Sequence, residues 1–255
     1  MLIVLSPSKT LDFTIQPQQT EFTLPVFLPK AVKLVKTLQK YAVNDLQKLM
    51  EISQDLASLN ATRFAEWKLP FEYGDALPAV MVFKGDVYTG LQIEKFQSDD
   101  LTYAQSHLRI LSGLYGVLKP LDLILPYRLE MGIPLRTGKF KNLYEYWTQM
   151  VTSEIEKALK AQGDNILINL ASQEYFKAVN TKKSKIRIHT PVFKEYKDGN
   201  YKMVSFFAKK ARGMMSRFIL LNQITNPEDM KHFEEDGYFY NHTLSSPLSP
   251  VFTRG

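Results

Sequence analysis

The chain has no cysteine in its 255 residues. That excludes disulfides, thiolate nucleophiles, thiol redox sensing and Cys-ligated metal, and it fits a reducing compartment. Histidine is scarce: His107, His189, His232 and His242 are scattered, with no H-E-x-x-H and no i,i+4 pair. No metal site is expected from that set, and no E-x-x-H pairing supports a di-iron bundle. No apolar run approaches the ~18 residues of a membrane span. Met1-Leu-Ile-Val-Leu5 is apolar, but it lacks a basic leader and stops at Ser6-Pro7, so it does not read as a signal peptide. A soluble, cytoplasmic protein is the expectation. Nucleotide and hydrolase signatures are also missing: there is no G-x-G-x-x-G and no G-x-S-x-G. Ser6-Pro-Ser-Lys-Thr10 lacks the glycines of a phosphate loop. Gly132 to Gly138-Lys139 has five intervening residues and Phe140 where Ser or Thr is needed. No cofactor is expected.

One long stretch also lacks acids. From Tyr175 to Pro227, twelve cations face only Glu195 and Asp198, a charge of +10 in a chain whose total is +6. The rest of the chain is therefore net negative. A positive field concentrated in one region suggests a polyanionic partner. No acid lies between Asp198 and Glu228. A merely solvated helix face would interleave both signs to gain i,i+4 pairs. Read at about 100° per residue, Phe206–Ile219 places Ala211, Met214, Met215 and Phe218 on an apolar face. Lys209, Lys210, Arg212 and Arg217 point elsewhere, with the small Gly213 and Ser216 between them. That spacing suggests a notch where a phosphate meets the helix backbone; the plain alternative is a solvated amphipathic helix.

What is present elsewhere suits a folded domain: 45% apolar and 12% aromatic residues. Short apolar runs at 2–5, 79–83, 108–111 and 165–171 read as buried strands. Residues 12–29, with three prolines, read as an extended arm. Helices are expected over 30–41, 44–52, 53–67, 98–107 and 143–162, with Asn44 or Asp45, Ser98 and Ser172 as caps. Lys84–Gly90 reads as a polar turn. Asp198-Gly199 predicts a hairpin joining strands at 185–196 and 201–207. Asn226-Pro-Glu-Asp229 reads as a helix start. The fold class is α/β: a mixed, partly parallel sheet with an antiparallel hairpin and helices packed around it. One domain is expected, with a helical subdomain over 30–67.

Two weaker patterns bear on nucleic acid. Leu56-Ala-Ser-Leu-Asn-Ala61 resembles the turn of a helix-hairpin-helix motif, with Ser58 and Asn60 where glycines would stand and Arg63 nearby. Gly113 and Gly116 form a G-x-x-G, like a single-strand RNA clamp, although turn geometry alone explains it. Polar residues at strand ends (Lys9, Lys84, Asp86, Arg109, Arg128, Glu130, Asn169, Glu174) suit a ligand crevice. There, Lys9, Lys84, Arg109 and Arg128 would hold an anion, and Asp86, Glu130 or Glu174 would act as acid or base. The alternative is a buried ion-pair network.

Several long strings resemble the YaaA family. They are Met1-Leu-Ile-Val-Leu-Ser-Pro-Ser-Lys-Thr-Leu-Asp12, Phe83-Lys-Gly-Asp-Val-Tyr-Thr-Gly-Leu91, the run from Leu108 to Asp122, Pro126-Tyr-Arg-Leu-Glu-Met-Gly132, Asn169-Leu-Ala-Ser-Gln-Glu-Tyr-Phe-Lys177 and Phe206–Arg217. The resemblance covers the chain nearly end to end. It implies a single α/β domain of unusual fold in a cytoplasmic protein of the peroxide stress response, tied to limiting free iron and oxidative DNA damage. It also implies a positively charged cleft, a helix-hairpin-helix element and binding of double-stranded DNA. The residues and the resemblance agree on an anionic partner. The expectation is a monomer that binds duplex DNA with little sequence preference. Lys209, Lys210, Arg212 and Arg217 would line its cleft with some of Lys182, Lys183, Lys185 and Arg187. The rival is an enzyme acting on a nucleotide- or nucleoside-like substrate at the strand ends.

Overall fold

The computed structural model describes residues 1–15, 21–72, 74–182 and 184–255. In chain order its elements begin with β1 (Leu2–Leu5), α1 (Leu28–Leu38), α2 (Val43–Met50), α3 (Gln54–Glu66), β2 (Leu77–Pro78), α4 (Ala79–Val82) and α5 (Asp86–Leu91). Next come α6 (Ser98–His107), β3 (Leu108–Ser112), β4 (Gly116–Leu118), β5 (Leu123–Ile124), α7 (Leu143–Ala161), β6 (Ile166–Leu170) and α8 (Gln173–Phe176). The chain closes with β7 (Arg187–His189), β8 (Val192–Lys197), β9 (Asn200–Lys202), α9 (Ser205–Leu221), β10 (Phe239–Tyr240) and β11 (Val251–Arg254).

β1 is apolar and buried at every position. A strand with two apolar faces needs cover on both, so it belongs inside a sheet. It lies in the middle of the order β4-β3-β1-β6-β7, parallel to both β3 and β6. β7 continues the sheet in parallel and β4 closes the other edge antiparallel. A second sheet has the order β10-β11-β8-β9, and its hairpin β8–β9 turns at Asp198 and Gly199. Both turn residues have positive φ, 52° and 77°, as a two-residue type I′ loop requires. The architecture is thus mixed α/β, as the sequence predicts.

Helix faces follow their apolar spacing. α1 buries Ala31, Leu34, Val35 and Leu38, an i, i+3, i+4, i+7 stripe. α7 buries Leu143, Tyr146, Trp147, Val151 and Ile155 on one side. The indole of Trp147 is fully buried and donates to the carbonyl of Gly113. The helices over 30–67 share this core. Gln39 Nε2 donates to the carbonyl of Phe64 at 2.8 Å, and Tyr146 Oη donates to that of Lys30 at 3.0 Å. Their apolar residues join one cluster with the sheet, so they form no core of their own.

Several expectations need correction. Of residues 79–83, Ala79–Val82 form a helical turn, α4, not a strand, and Phe83 is extended, bridging to Leu11. The amides of Ala79 and Val80 donate to the carbonyls of Asp122 and Pro120, which fixes the turn. A four-residue apolar run suits either state. Lys84–Gly90 is not a loop either: Gly85, at φ 98°, turns the chain into α5. The strand expected over 185–196 breaks at Pro191, which has no amide to donate, and the chain changes sheet there. The helix α9 starts at Ser205, so the second hairpin arm ends at Lys202. Caps differ as well. Ala42 precedes α2 with no side-chain cap, and Gln97, with Asp100, caps α6. Ser172 does cap α8. Residues 16–20 of the proposed arm lie outside the described residues.

The largest correction concerns α9. The apolar face expected at Ala211, Met214 and Met215 is buried, but the helix carries no broad cationic face. Ala208, Ala211, Gly213, Met214, Met215, Ser216, Ile219 and Leu220 are all buried. The small residues do not form a notch for phosphate. A Cβ on Gly213 would overlap the carbonyl oxygen of Val87, and one on Gly90 would overlap that of Lys210. Backbones of α5 and α9 therefore touch. Ser216 Oγ donates to the carbonyl of Arg212 at 2.9 Å, within the helix. Overpacking typically costs about 1–3 kcal/mol. Gly213→Ala and Gly90→Ala are each expected to lose at least that much. The check is the urea midpoint at unchanged slope; a midpoint equal to the parent's would show that the helices can separate freely.

Candidate functional site

In open α/β sheets, ligands sit beyond the carboxyl ends of strands, where connections leave in opposite directions. β1 is that point here, because its neighbours β3 and β6 lie on opposite sides. Beyond it runs Ser6-Pro7-Ser8-Lys9. Ser6 Oγ accepts from the amide of Ser172 at 2.9 Å, and the Ser6 carbonyl accepts from Tyr88 Oη at 3.0 Å. Beyond β3, Ser112 Oγ and Tyr127 Oη are 2.7 Å apart. A Cβ on Gly113 would overlap the carbonyl oxygen of Leu129. The strip from Tyr127 to Gly132 can therefore lie directly against the strand ends.

That strip carries an ion pair. Glu130 Oε1 accepts from Arg128 Nη2 at 2.9 Å and meets Lys9 Nζ at 3.1 Å. Glu130 and Arg128 are largely buried, whereas the side chain of Lys9 is 64% exposed. Two buried atoms of the pair, Glu130 Oε2 and Arg128 Nε, have no hydrogen-bond partner among the described residues. Glu174 Oε1 accepts from the amide of Gly132 at 2.9 Å, which holds the strip to α8. Burial pushes the Tyr88, Tyr127 and Tyr175 hydroxyls up, and each also feels Tyr127 or its neighbours as a like charge when ionised. All three phenols thus stay protonated, and Glu130 adds to the rise at Tyr127 and Tyr175.

Of the residues expected at the strand ends, the structure gathers Lys9, Arg128, Glu130 and Glu174. Asn169, near the end of β6, accepts from the amide of Ala171. Lys84 lies 3.9 Å from Asp12. Asp86 sits in the first turn of α5, where an acid suits the helix dipole. Arg109 does not belong to this crevice. It is the second residue of β3, and its Nη1 donates back to the carbonyls of Gln105, Ser106 and Leu108, at the amino end of the strand.

The basic residues divide into two groups. Lys210 pairs with Asp236 at 3.2 Å; Arg217 pairs with Glu235 and donates to the carbonyl of Gly90. These cations brace α9. Arg212 is half-buried, its guanidinium pKa pushed down by burial, with no hydrogen bond or ion pair among the described residues. Lys182, Lys185, Arg187 and Lys209 are exposed and form no ion pair among the described residues. Lys183 lies outside the described residues. The region's two acids are engaged: Glu195 with Arg254 and Tyr238, Asp198 with Lys202.

The helix-hairpin-helix reading of Leu56–Ala61 is corrected. Ser58, Asn60 and Arg63 lie inside α3, and the turn between α2 and α3 falls at Glu51–Ser53, with Glu51 at φ 51°. Asn60 is fully buried, and its Nδ2 donates to the carbonyl of Leu56. Arg63 lines a cavity of about 550 Å³ with Trp67, Phe71 and three acids. Gly113 and Gly116 serve packing: Gly116, at φ 74°, lies against the ring of Trp147.

A family model described as "Peroxide stress protein YaaA" matches residues 1–244. The chain belongs to the YaaA family. Curated relatives, each named "UPF0246 protein", match along the whole chain. One from Shewanella denitrificans is 51% identical across all of this chain and 98% of its own length. One from Shewanella amazonensis is 50% identical across all of this chain and 99% of its own, and one from Aliivibrio fischeri is 49% identical. The strings that resemble YaaA proteins are also those that meet at the strand ends: Ser6–Lys9, Tyr88, Ser112, Tyr127–Gly132 and Ser172–Tyr175. Reading single residues missed Ser6, Tyr88, Tyr127, Ser172 and Tyr175. Their signal was their place inside those strings, since a lone tyrosine in a mixed stretch reads as core. Among the described residues, no group of three or more His, Asp or Glu is placed to hold a metal ion, and no helix is long and apolar enough to cross a membrane.

His189, at the end of β7, lines a cavity of about 280 Å³ with Glu228, Lys231 and His242. Its Nε2 is buried without a hydrogen-bond partner among the described residues. Burial holds His189 and His107 below the ordinary histidine value of 6.5. Each therefore holds fewer protons folded than unfolded as pH falls through 6.5. Stability is expected to be full above that pH and to decline below it. Urea midpoints at pH 8 and pH 5.5 check this, and a His107→Gln/His189→Gln variant should show a flatter profile between them.

Proposed function

We propose that this protein serves the peroxide stress response by binding double-stranded DNA, mainly through phosphate contacts, and so helps limit iron-driven oxidative damage to it. The observation that carries the reading is the set of exposed, unpaired cations Lys182, Lys185, Arg187 and Lys209. Their region's own acids are already engaged. Exposed cations without counter-ions gain most by displacing the ions condensed on a polyanion. The family description supports the stress role. Lys210 and Arg217, expected in the cleft wall, are assigned to bracing α9, so the contact surface shifts toward the loop before β7, that strand and the start of α9. Such a surface reads charge and not base edges, which suits sequence-tolerant binding by a cytoplasmic monomer.

The test is fluorescence anisotropy with a duplex across a salt series. Log K should fall linearly with log salt. Lys182→Ala/Lys185→Ala/Arg187→Ala/Lys209→Ala should lower the slope by about one per lost contact. Arg217→Ala should leave the slope nearly unchanged and lower the melting temperature instead. An affinity independent of salt would sink the proposal.

A further inference from the structure

Arg109, found away from the strand-end crevice, opens on a space of its own. The residue is 6% exposed. Its Nη1 is taken up by the chain, donating to the carbonyls of Gln105, Ser106 and Leu108 at the carboxyl end of α6. Nε and Nη2 form no hydrogen bond among the described residues. Neither is sealed: the buried side-chain atoms left without a partner belong to Asn60, Arg128, Glu130, Gln162 and His189. The two nitrogens therefore open on the cavity of about 320 Å³ that Arg109 lines.

In a guanidinium, the N–H groups of Nε and Nη2 lie side by side and point the same way. They form a fork that matches two oxygens of one oxyanion. Capping α6 uses the one nitrogen outside that fork. A lysine could cap the same carbonyls, but only an arginine supplies the fork. The charges around it do not balance. Lys119 and Lys157 line the cavity with Arg109, against Asp122 and Glu154. Both oxygens of Asp122 are engaged, Oδ1 by Thr23 Oγ1 at 2.6 Å and Oδ2 by the amide of Lys119 at 2.8 Å. Burial pushes the Arg109 guanidinium pKa down, and the fields of Glu154 and Asp122 only oppose this. Glu154 forms no ion pair with it among the described residues. A desolvated cation of this kind gains from a counter-ion brought to it.

One monoanion balances three cations and two acids; a dianion would over-correct and meet Glu154 as a like charge. The rest of the wall suits carbon. Val117 and Leu118 are buried, and Leu24 and Val26 stand exposed at 56% and 47%. At about 320 Å³ the cavity is at the small end for ligand sites, which fits a body of a few carbons. We propose that this cavity binds a small organic acid by its carboxylate. The carboxylate accepts from Nε and Nη2 of Arg109, the aliphatic wall receives the carbon body, and the exposed Lys157 draws the anion in. The site shares no residue with the exposed cations assigned to the duplex, so neither reading stands on the other.

NMR titration of the full chain with butyrate tests this. Binding should saturate at millimolar concentration or below. n-Butanol, a body of equal length without the charge, should bind about tenfold more weakly or worse. Arg109→Lys keeps a cation for the carbonyls of α6 but has no fork, and should also lose about tenfold or more. Because that residue is buried, Val26→Glu, at an exposed position, gives a second reading. It sets an acid at the rim, and should weaken butyrate about fivefold with the melting temperature unchanged. No saturation, equal binding of n-butanol, or full binding by either variant would overturn the proposal. Inorganic phosphate binding more tightly than butyrate would assign the fork to a phosphoryl group and overturn the carboxylate.

Discussion

Two helices in this protein meet through their backbones. Gly90 on α5 and Gly213 on α9 have no room for a side chain, because each faces peptide atoms of the other helix. That contact fixes where α9 lies and which of its side chains reach water. Once α9 is pressed against α5, Arg217 is drawn to the carbonyl of Gly90 and to Glu235, and Lys210 to Asp236. The same contact fixes α5, which carries Tyr88 into the strand-end crevice. A helix that looks in sequence like a binding element is first a packing element, and the cation it exposes most is Lys209, near its start.

What could be read from sequence divides by how local the cause is. The Asp198-Gly199 turn was legible because two adjacent residues determine it. The stripe of α1 and the wholly apolar β1 were legible for the same reason. Gly213 shows the limit. A glycine states that something approaches the backbone closely, but not what; the phosphate imagined there is the main chain of another helix. Residues 79–83 show another limit, since four buried apolar residues satisfy a strand and a helical turn equally. Arg109 shows a third: the side chain leaves its strand toward the amino end, which a position in a string does not reveal.

The charges of this chain do two kinds of work. Those of Lys182, Lys185, Arg187 and Lys209 face water, where any effect is long-ranged and weakened by salt. Those of Arg128 and Glu130 are taken out of water, where fields are less screened and geometry decides what can bind. A total of +6 conceals this division. The first set suits a repetitive partner approached from many angles, and the second helps hold the strip from Tyr127 to Gly132 against the strand ends. Membership of a stress-response family is compatible with both, since neither depends on thiol chemistry, which this chain cannot perform.

The central position of β1 has a consequence for how the molecule comes into being. Its partners in the sheet begin at Leu108 and Leu167, far along the chain. A wholly apolar strand must therefore wait, without its sheet partners, while more than a hundred further residues are synthesised. Closing such long loops is slow, and an unpaired apolar strand is prone to join other chains. The residues that give the finished protein its most protected element are thus, during synthesis, its most exposed liability.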